Sequence, residues 1–250
     1  MGQADYFLVG HLLASFEIQA WERLSENLRT GKRAIDDVLG TTLWDYLNAH
    51  PQENQIFNGA ITSFSERVNL LLVKTYPDFS QMETIVDIGG GQGTFLATIL
   101  QENPNIQRGI LFDRPQVIKE AEETFRQAGV SDRCTCVPSN FLEDVPPGAT
   151  MYTFKNVLHD WDDSQTQRIL QNVRRSASSG SRVLIAELLI PETNPPFAVT
   201  SLDLVMLFET GGKQRTAREF EQLLQYSGFT LERVIPIDRT PYSIVEGIAQ

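Results

Sequence analysis

The chain is poor in cysteine, in positive charge and in long apolar runs, and each scarcity removes a class of function. Its only two cysteines, Cys134 and Cys136, are separated by a single residue. That spacing is too short for an ordinary disulfide and matches alternation along a strand, so both read as packing residues without redox chemistry. Lysine and arginine number 21 against 32 acidic residues, for a formal net charge of -11. Nucleic acid or an anionic membrane would require a basic face to displace counterions, so neither is expected as a partner. No apolar run approaches the ~20 residues of a membrane span, and the N-terminus lacks the basic, apolar and small-residue regions of a signal peptide. A cytoplasmic location is therefore expected. Position 6 is Tyr6, not Ser or Thr, so Met1-Gly2 does not begin a myristoylation signal. No group of His, Cys or carboxylates has metal-ligand spacing, so no metal is expected.

What the chain does have is length and hydrophobic content for one substantial core with a helical layer: 250 residues, 41% hydrophobic. From Asp5 to about Tyr76 leucines and aromatics recur at three- and four-residue spacing, interrupted at Thr30-Gly31, Gly40 and Pro51, which predicts a helical lead-in over 1–76. From there the texture changes to short β-rich runs separated by helical patterns: 85–88, 109–113, 133–137, 150–155, 182–189, 230–236 and 242–248. Alternation of this kind predicts βαβ units, a mostly parallel sheet and helices on both of its faces over 77–250. Only Asp238-Arg239-Thr240-Pro241 lies between the last apolar runs. That is too short for a crossover helix, so those runs should pair as an antiparallel hairpin. Pro191 to Pro196 reads as a loop.

The most informative stretch is Ile85 to Gly93, IVDIGGGQG, where an apolar strand ends in Asp87 and enters a glycine-rich turn before a helical pattern. Glycine serves where backbone must adopt positive φ or approach a ligand closely. A dinucleotide fingerprint read from Gly91 would want a small residue at position 96, and the chain has Leu96. Read from Gly89 the pattern is acid-x-G-x-G-x-G, with Asp87 leading. Such turns are weak evidence alone, and the choice stands between a nucleoside-like cofactor and a plain strand-to-helix turn.

Ionisable residues recur at the ends of the apolar runs: Asp87, Asp113 after GILF, His159 after MYTFKNVL and Glu187 after RVLIA. Open parallel sheets bind ligands outside the carboxyl ends of their strands. These groups would thus meet in one crevice. Each has a plainer explanation, since Asp113 can cap a helix near Pro115, Glu187 can pair with a basic side chain and His159 can be a satisfied structural histidine. Their coincidence favours a site. Asp113 ends the second run, where an acid can accept hydrogen bonds from both hydroxyls of a ribose. Ser139-Asn140-Phe141 offers an amide and an apolar wall for a base, or is an ordinary polar loop. Trp161 covers a purine face or fills the core. Lys155 sits inside an apolar run and must reach the crevice or an acid, because a buried lysine is costly without a partner.

Taken in order, VDIGGGQGTFL, LFDRPQVI, FKNVLHDWDD, AELLIPE and GGKQRT give the chain a specific resemblance. It resembles S-adenosylmethionine-dependent O-methyltransferases of the caffeic acid and hydroxyneurosporene methyltransferase type, over nearly its whole length. The resemblance implies an α/β, Rossmann-like methyltransferase fold, with a mostly parallel seven-stranded sheet, an antiparallel C-terminal hairpin and a preceding helical segment. It implies S-adenosylmethionine as cofactor, held by Asp87, Gly89, Gly91, Gly93, Asp113 and Arg114, with Asn140, Phe141, Lys155 and Trp161 around it. Asn140 replaces the family's usual adenine-binding Asp, so its carbonyl would accept from the adenine amine without a full charge, and Phe141 stands where Met is common.

The resemblance makes His159 the catalytic base and Glu187 one of two acids that orient it. Gln214 departs from the pattern, standing where the second acid is usual. An amide can position an imidazole but does not stabilise imidazolium as a carboxylate does. Trp21, Phe57, Asn58, Ile61, Asp160, Met206, Glu209 and Thr210 would line the acceptor pocket, and Phe16 and Phe208 add to its apolar character. Family members usually begin with a winged-helix dimerisation domain that has no counterpart before Asp5, so a shortened member is expected, homodimeric only in its full-length relatives.

The reaction implied is in-line methyl transfer to a hydroxyl of a small aromatic or polyene acceptor, with His159, at an ordinary ~6.5, taking the proton of a phenol near ~10. Other readings are a hydroxylase or decarboxylase of the same fold that binds S-adenosylmethionine structurally, for which Gln214 leaves room, and a non-catalytic ligand-binding subunit. A nicotinamide dehydrogenase is disfavoured by Leu96 and by the late position of the glycine turn.

Overall fold

The computed structural model describes residues 14–250, apart from the side chains of 61–67 and 120. Short helices come first: α1 (Ser15–Glu22), α2 (Leu24–Thr30), α3 (Ala34–Leu39) and α4 (Leu43–Ala49), followed by the long α5 (Pro51–Thr75). They break where the sequence requires. Gly31 and Gly40 take left-handed C-cap positions after α2 and α3, and Pro51 opens α5, where its missing N–H costs nothing. The part of the predicted lead-in before residue 14 lies outside the described residues.

The sheet follows, with β1 (Thr84–Ile88), α6 (Thr94–Glu102), β2 (Arg108–Asp113), α7 (Ala121–Gln127), β3 (Cys134–Pro138), β4 (Met151–Lys155), α8 (Asp163–Ser176), β5 (Arg182–Leu188), α9 (Phe197–Glu209), α10 (Ala217–Tyr226), β6 (Phe229–Pro236) and β7 (Tyr242–Ala249). It has seven strands in the order β3-β2-β1-β4-β5-β7-β6. β1 to β5 are parallel, while β7 runs antiparallel to both β5 and β6. The expected C-terminal hairpin is present.

Alternate residues of each strand feed opposite cores, as the period of two demands. Ile85, Met151, Leu184 and Ala186 pack beneath α5, α6 and α7 through Leu72, Leu96 and Phe125. Val86, Ile88, Tyr152, Phe154, Val183 and Ile185 pack on the other face against Ile169 and Val173 of α8 and Leu224 of α10. A third core joins the first helices to α9, with Phe16, Ala20, Ile35, Leu43 and Leu47 around Phe208.

The lead-in is joined to the sheet at the 76/77 boundary. Leu72 and Val73 of α5 belong to the sheet's own core, and Tyr76 donates a buried hydrogen bond to Glu246 of β7 at 2.6 Å. Arg182 and Arg233 also bind that carboxylate, so its charge is compensated. No described helix is long and apolar enough to cross a membrane.

Candidate active site

The strand order reverses between β1 and β4, and the ends of β1, β2, β4 and β5 open toward one cavity of about 370 Å³. Such a switch point is where an open α/β sheet leaves room for a ligand. Gly89 and Gly91 line it after β1, with Asp113 and Arg114 after β2, and Asn140 and Phe141 after β3. Val157, His159, Asp160 and Trp161 come from the segment after β4, and Met206, Glu209 and Thr210 from the end of α9. Phe57 and Asn58 of α5 complete the expected wall. The side chain of Ile61 lies outside the described residues.

The glycines divide by task. At Gly91 φ is +60° and nothing lies within 4 Å of where a Cβ would stand, so its backbone faces open space. A Cβ at Gly93 would meet Phe125 at 2.7 Å. Gly93 therefore serves the entry into α6 and does not line the cavity. Asp113 holds the turn in place: Oδ2 accepts from Gly91 N–H at 2.9 Å and Oδ1 from Arg114 N–H at 2.7 Å. Burial pushes its carboxyl above the usual carboxylate range, against the pull of those two amides.

Asp87 lies beneath the turn, not in the cavity wall. One oxygen accepts from Thr153 Oγ1 at 2.7 Å, and Oδ2 has no partner among the described residues. Burial lifts its carboxyl to about 7 despite Thr153 and Lys155. Lys155, likewise behind the wall, is pushed down to about 8 by burial, with Asp87 and Glu187 opposing. Lys155 forms no ion pair with either acid among the described residues; its Nζ lies 5.8 Å from the centroid of the Phe95 ring. Asn140 uses Oδ1 to accept from Leu142 N–H at 3.1 Å, an Asx turn that shapes its own loop. Trp161 stands edge-on to Phe141, with ring centroids 5.5 Å apart.

His159 is held from both sides. Its Nδ1–H donates to Glu187 Oε2 at 2.6 Å, while Glu187 Oε1 accepts from the N–H groups of Val157 and Leu158, each at 3.1 Å. One buried carboxylate thus fixes the tautomer, the ring and the loop that carries it. Nε2 is left toward the cavity, 3.8 Å from Asp160 Oδ1. Burial alone would lower the imidazole, but Glu187 and Asp160 outweigh it and lift His159 to about 9. This corrects the ordinary ~6.5 assumed from sequence. Burial raises Asp160 to about 6, partly offset by His159.

Further expected residues stand elsewhere: Phe16 and Phe208 pack in the core between the first helices and α9, and Trp21 and Gln214 also lie off the site. Trp21 is 39% exposed and packs edge-on against Phe208 at 4.7 Å. α1 turns Phe16, Glu17 and Ala20 inward, so Trp21 falls at the flank. Gln214 makes no hydrogen bond to His159. Its backbone N–H donates to Asp203 Oδ1 at 2.7 Å, and both polar atoms of its buried amide are without partners among the described residues.

Sequence reasoning quoted GGKQRT but missed what its other residues do. Arg215 is fully buried and donates to the carbonyls of Leu158 and Trp161, each at 2.7 Å, bracketing His159. A Cβ at Gly212 would fall 1.9 Å from the His159 carbonyl oxygen, so that backbone packs where only glycine fits. Leu43, Trp44 and Leu47 of α4, Leu202 and Val205 of α9, and Tyr242 also line the cavity. Helical spacing marked the residues of α4 and α9 as apolar, without saying toward what. Tyr242 Oη donates to Asn156 Oδ1 at 2.9 Å, steadying a residue at φ 56° just past β4.

The donor set fits a nucleoside cofactor beside an apolar acceptor: open backbone at Gly91, a carboxyl group at Asp113, aromatic rings at Phe141 and Trp161, and an imidazole at His159. Residues 21–230 match the O-methyltransferase domain family. The phenazine O-methyltransferase PhzM of Lysobacter antibioticus is 41% identical over 230 residues, covering 92% of this chain and 67% of that protein. The mitomycin biosynthesis 6-O-methyltransferase of Streptomyces lavendulae is 39% identical, over 93% of this chain and 66% of its own length. The chain spans about two thirds of the length of these relatives. Among solved structures, the mitomycin 7-O-methyltransferase MmcR superposes with a TM-score of 0.94 at 36% identity, over 99% of this chain and 72% of that one. On the strength of its sequence match and the architecture that carries it, this chain belongs to the O-methyltransferase domain family.

Proposed function

We propose that the protein transfers a methyl group from S-adenosylmethionine to a hydroxyl of a small aromatic acceptor, with His159 handling the hydroxyl proton. The observation that carries this reading is the meeting, in one cavity, of His159 fixed on Glu187 at 2.6 Å with the Gly89, Gly91 and Asp113 cradle. The cofactor would supply a sulfonium-bound, electrophilic methyl group. Gly91 would accept close approach by its backbone, Asp113 would bind the ribose hydroxyls, and Asn140, Phe141 and Trp161 would enclose the adenine. Relatives lend support. The O-methyltransferase NcsB1 from neocarzinostatin biosynthesis was crystallised with S-adenosylmethionine and 2-hydroxy-5-methyl naphthoic acid, and it superposes with a TM-score of 0.84 at 30% identity, over 92% of this chain and 68% of that one.

The raised affinity of His159 for protons defines its part. With His159 at about 9 and a phenol near ~10, the proton between acceptor oxygen and Nε2 moves at little cost. The oxygen therefore gains anionic character before it attacks. General-base assistance is worth roughly 10²- to 10⁴-fold, and alignment of oxygen with the methyl group in the cavity is worth more. No residue in the wall is needed to protonate a leaving group, because the departing thioether is neutral.

Mass spectrometry of incubations with S-adenosylmethionine and a panel of one- and two-ring phenols should show a methyl ether and S-adenosylhomocysteine in equal amounts. Oxygen-dependent conversion without S-adenosylhomocysteine would instead select a hydroxylase or decarboxylase. Tight cofactor binding with no conversion would select a ligand-binding subunit.

A further inference from the structure

Next to His159 the cavity wall carries more acid than the methyl transfer uses. Glu209 lines it beside Asp160. Behind Glu209, α1 packs against α9 and turns Glu17 inward, so that the two carboxyls act on each other. Both are at least nine-tenths buried, at 2% and 6% exposure. No lysine or arginine pairs with either among the described residues, and Glu17 Oε1 has no hydrogen-bond partner at all among them. Burial raises Glu17 to about 6 and holds Glu209 well above the carboxylate range, where Glu17 and Asp160 add their repulsion.

Structure alone gives no reason for acid here. Glu209 is the last residue of α9, and a carboxylate is disfavoured at a helix C-terminus, where the macrodipole is already negative. Like charges are crowded together, and apolar side chains of similar volume would fill the same space at lower cost. A group that relieves all of these at once is a cation with more than one N–H donor, entering from the cavity.

We propose that Glu209, backed by Glu17 and flanked by Asp160, is an amine-recognition subsite, and that the acceptor carries a basic amine close to the hydroxyl that His159 serves. The inference rests on the reading of this cavity as the acceptor site and specifies its substrate class. On binding, the ammonium replaces one proton that burial keeps on this pair of carboxyls; the proton leaves to solvent, so the wall's net charge is unchanged. Asp160 stands 3.8 Å from His159 Nε2 and acts electrostatically on Glu209, so the amine should lie near the hydroxyl that His159 serves.

The test uses the whole chain saturated with S-adenosylhomocysteine and three naphthols of one shape: 1-aminomethyl-2-naphthol, 1-hydroxymethyl-2-naphthol and 1-carboxy-2-naphthol. Calorimetry should rank the cation above the neutral probe by about 10- to 100-fold, the value of a charge-assisted hydrogen bond, and the anion last. In Glu209→Gln the cation-to-neutral ratio should collapse toward one. Glu17→Gln, which leaves the cavity-lining carboxyl in place, should reduce it in part. Equal or weaker binding of the cation in the wild type overturns the inference, as does a ratio that survives Glu209→Gln or a failure of all three to bind. Methylation of any of the three with S-adenosylmethionine upholds the transferase reading whatever their ranking. Cation preference without methylation of any of them upholds the subsite and sinks that reading.

Discussion

His159 shows how far one side chain's role depends on its neighbours. Glu187 spends one oxygen on the imidazole and the other on two backbone amides of the same loop. Orientation and basicity are therefore set together, and loss of Glu187 would release both. Because Glu187 and Asp160 hold His159 at about 9, kcat/KM should rise tenfold per pH unit through neutrality and level off near 9. A profile that levels off near ~6.5 would show an unperturbed histidine. His159→Ala should lower kcat by roughly 10²- to 10⁴-fold and leave S-adenosylhomocysteine affinity within about a factor of two, since the glycine turn is held by Asp113. Normal turnover in that variant would remove His159 from the mechanism.

At the scale of elements, the site is a set of loops pinned from beneath. Arg215 holds the carbonyls on either side of His159, and the backbone of Gly212 lies against the same stretch so closely that a methyl group would sit 1.9 Å from its carbonyl oxygen. Since backbone cannot rotate away as a side chain can, Gly212→Ala must displace the His159 loop. Such overpacking costs about 1–3 kcal/mol. A lower melting temperature, a fall of more than about tenfold in kcat and retained S-adenosylhomocysteine affinity are expected, because the cradle between β1 and β2 is built from other elements. Unchanged kcat would mean that the loop tolerates the shift.

Among its described residues the molecule buries a small set of acids, Glu17, Asp87, Asp113, Glu187, Glu209 and Glu246. Asp87 at about 7, Asp160 at about 6 and Glu17 at about 6 all stand above their unfolded values, as does His159 at about 9. For each of these the unfolded chain gives up its proton at lower pH than the folded one. Their stabilising contribution is therefore complete below the unfolded values, and is lost as pH rises through the folded ones. Urea denaturation should show stability falling from about pH 6 to pH 9. Stability that rises over this interval would mean that the buried acids are already ionised at pH 6.

Much of this was legible in the chain. Strand ends are local, so Asp113 and His159 could be placed in one crevice from position alone, whereas Asp87 lies beneath the turn and Glu187 behind His159; the loop between β6 and β7 was short enough to force a hairpin. The rest depends on rotation about helix axes and on partners remote in sequence. Helical spacing could not tell that α1 turns Glu17 inward and leaves Trp21 at the flank, nor that Glu17 meets Glu209. Nor could a motif say that Gly212 and Arg215 serve the backbone of a loop more than fifty residues earlier, while the amide of Gln214 stays clear of His159.

The central claim is a cradle for S-adenosylmethionine between Gly91 and Asp113, next to His159. Calorimetric titration of the purified chain with S-adenosylhomocysteine, with NADH in parallel and Asp113→Ala as control, tests it without knowledge of the acceptor. Micromolar binding is predicted, weakened about 10- to 100-fold in Asp113→Ala by loss of a charge-assisted hydrogen bond worth ~1.5–3 kcal/mol, with no heat from NADH. Binding of NADH, or S-adenosylhomocysteine affinity indifferent to Asp113, would contradict it.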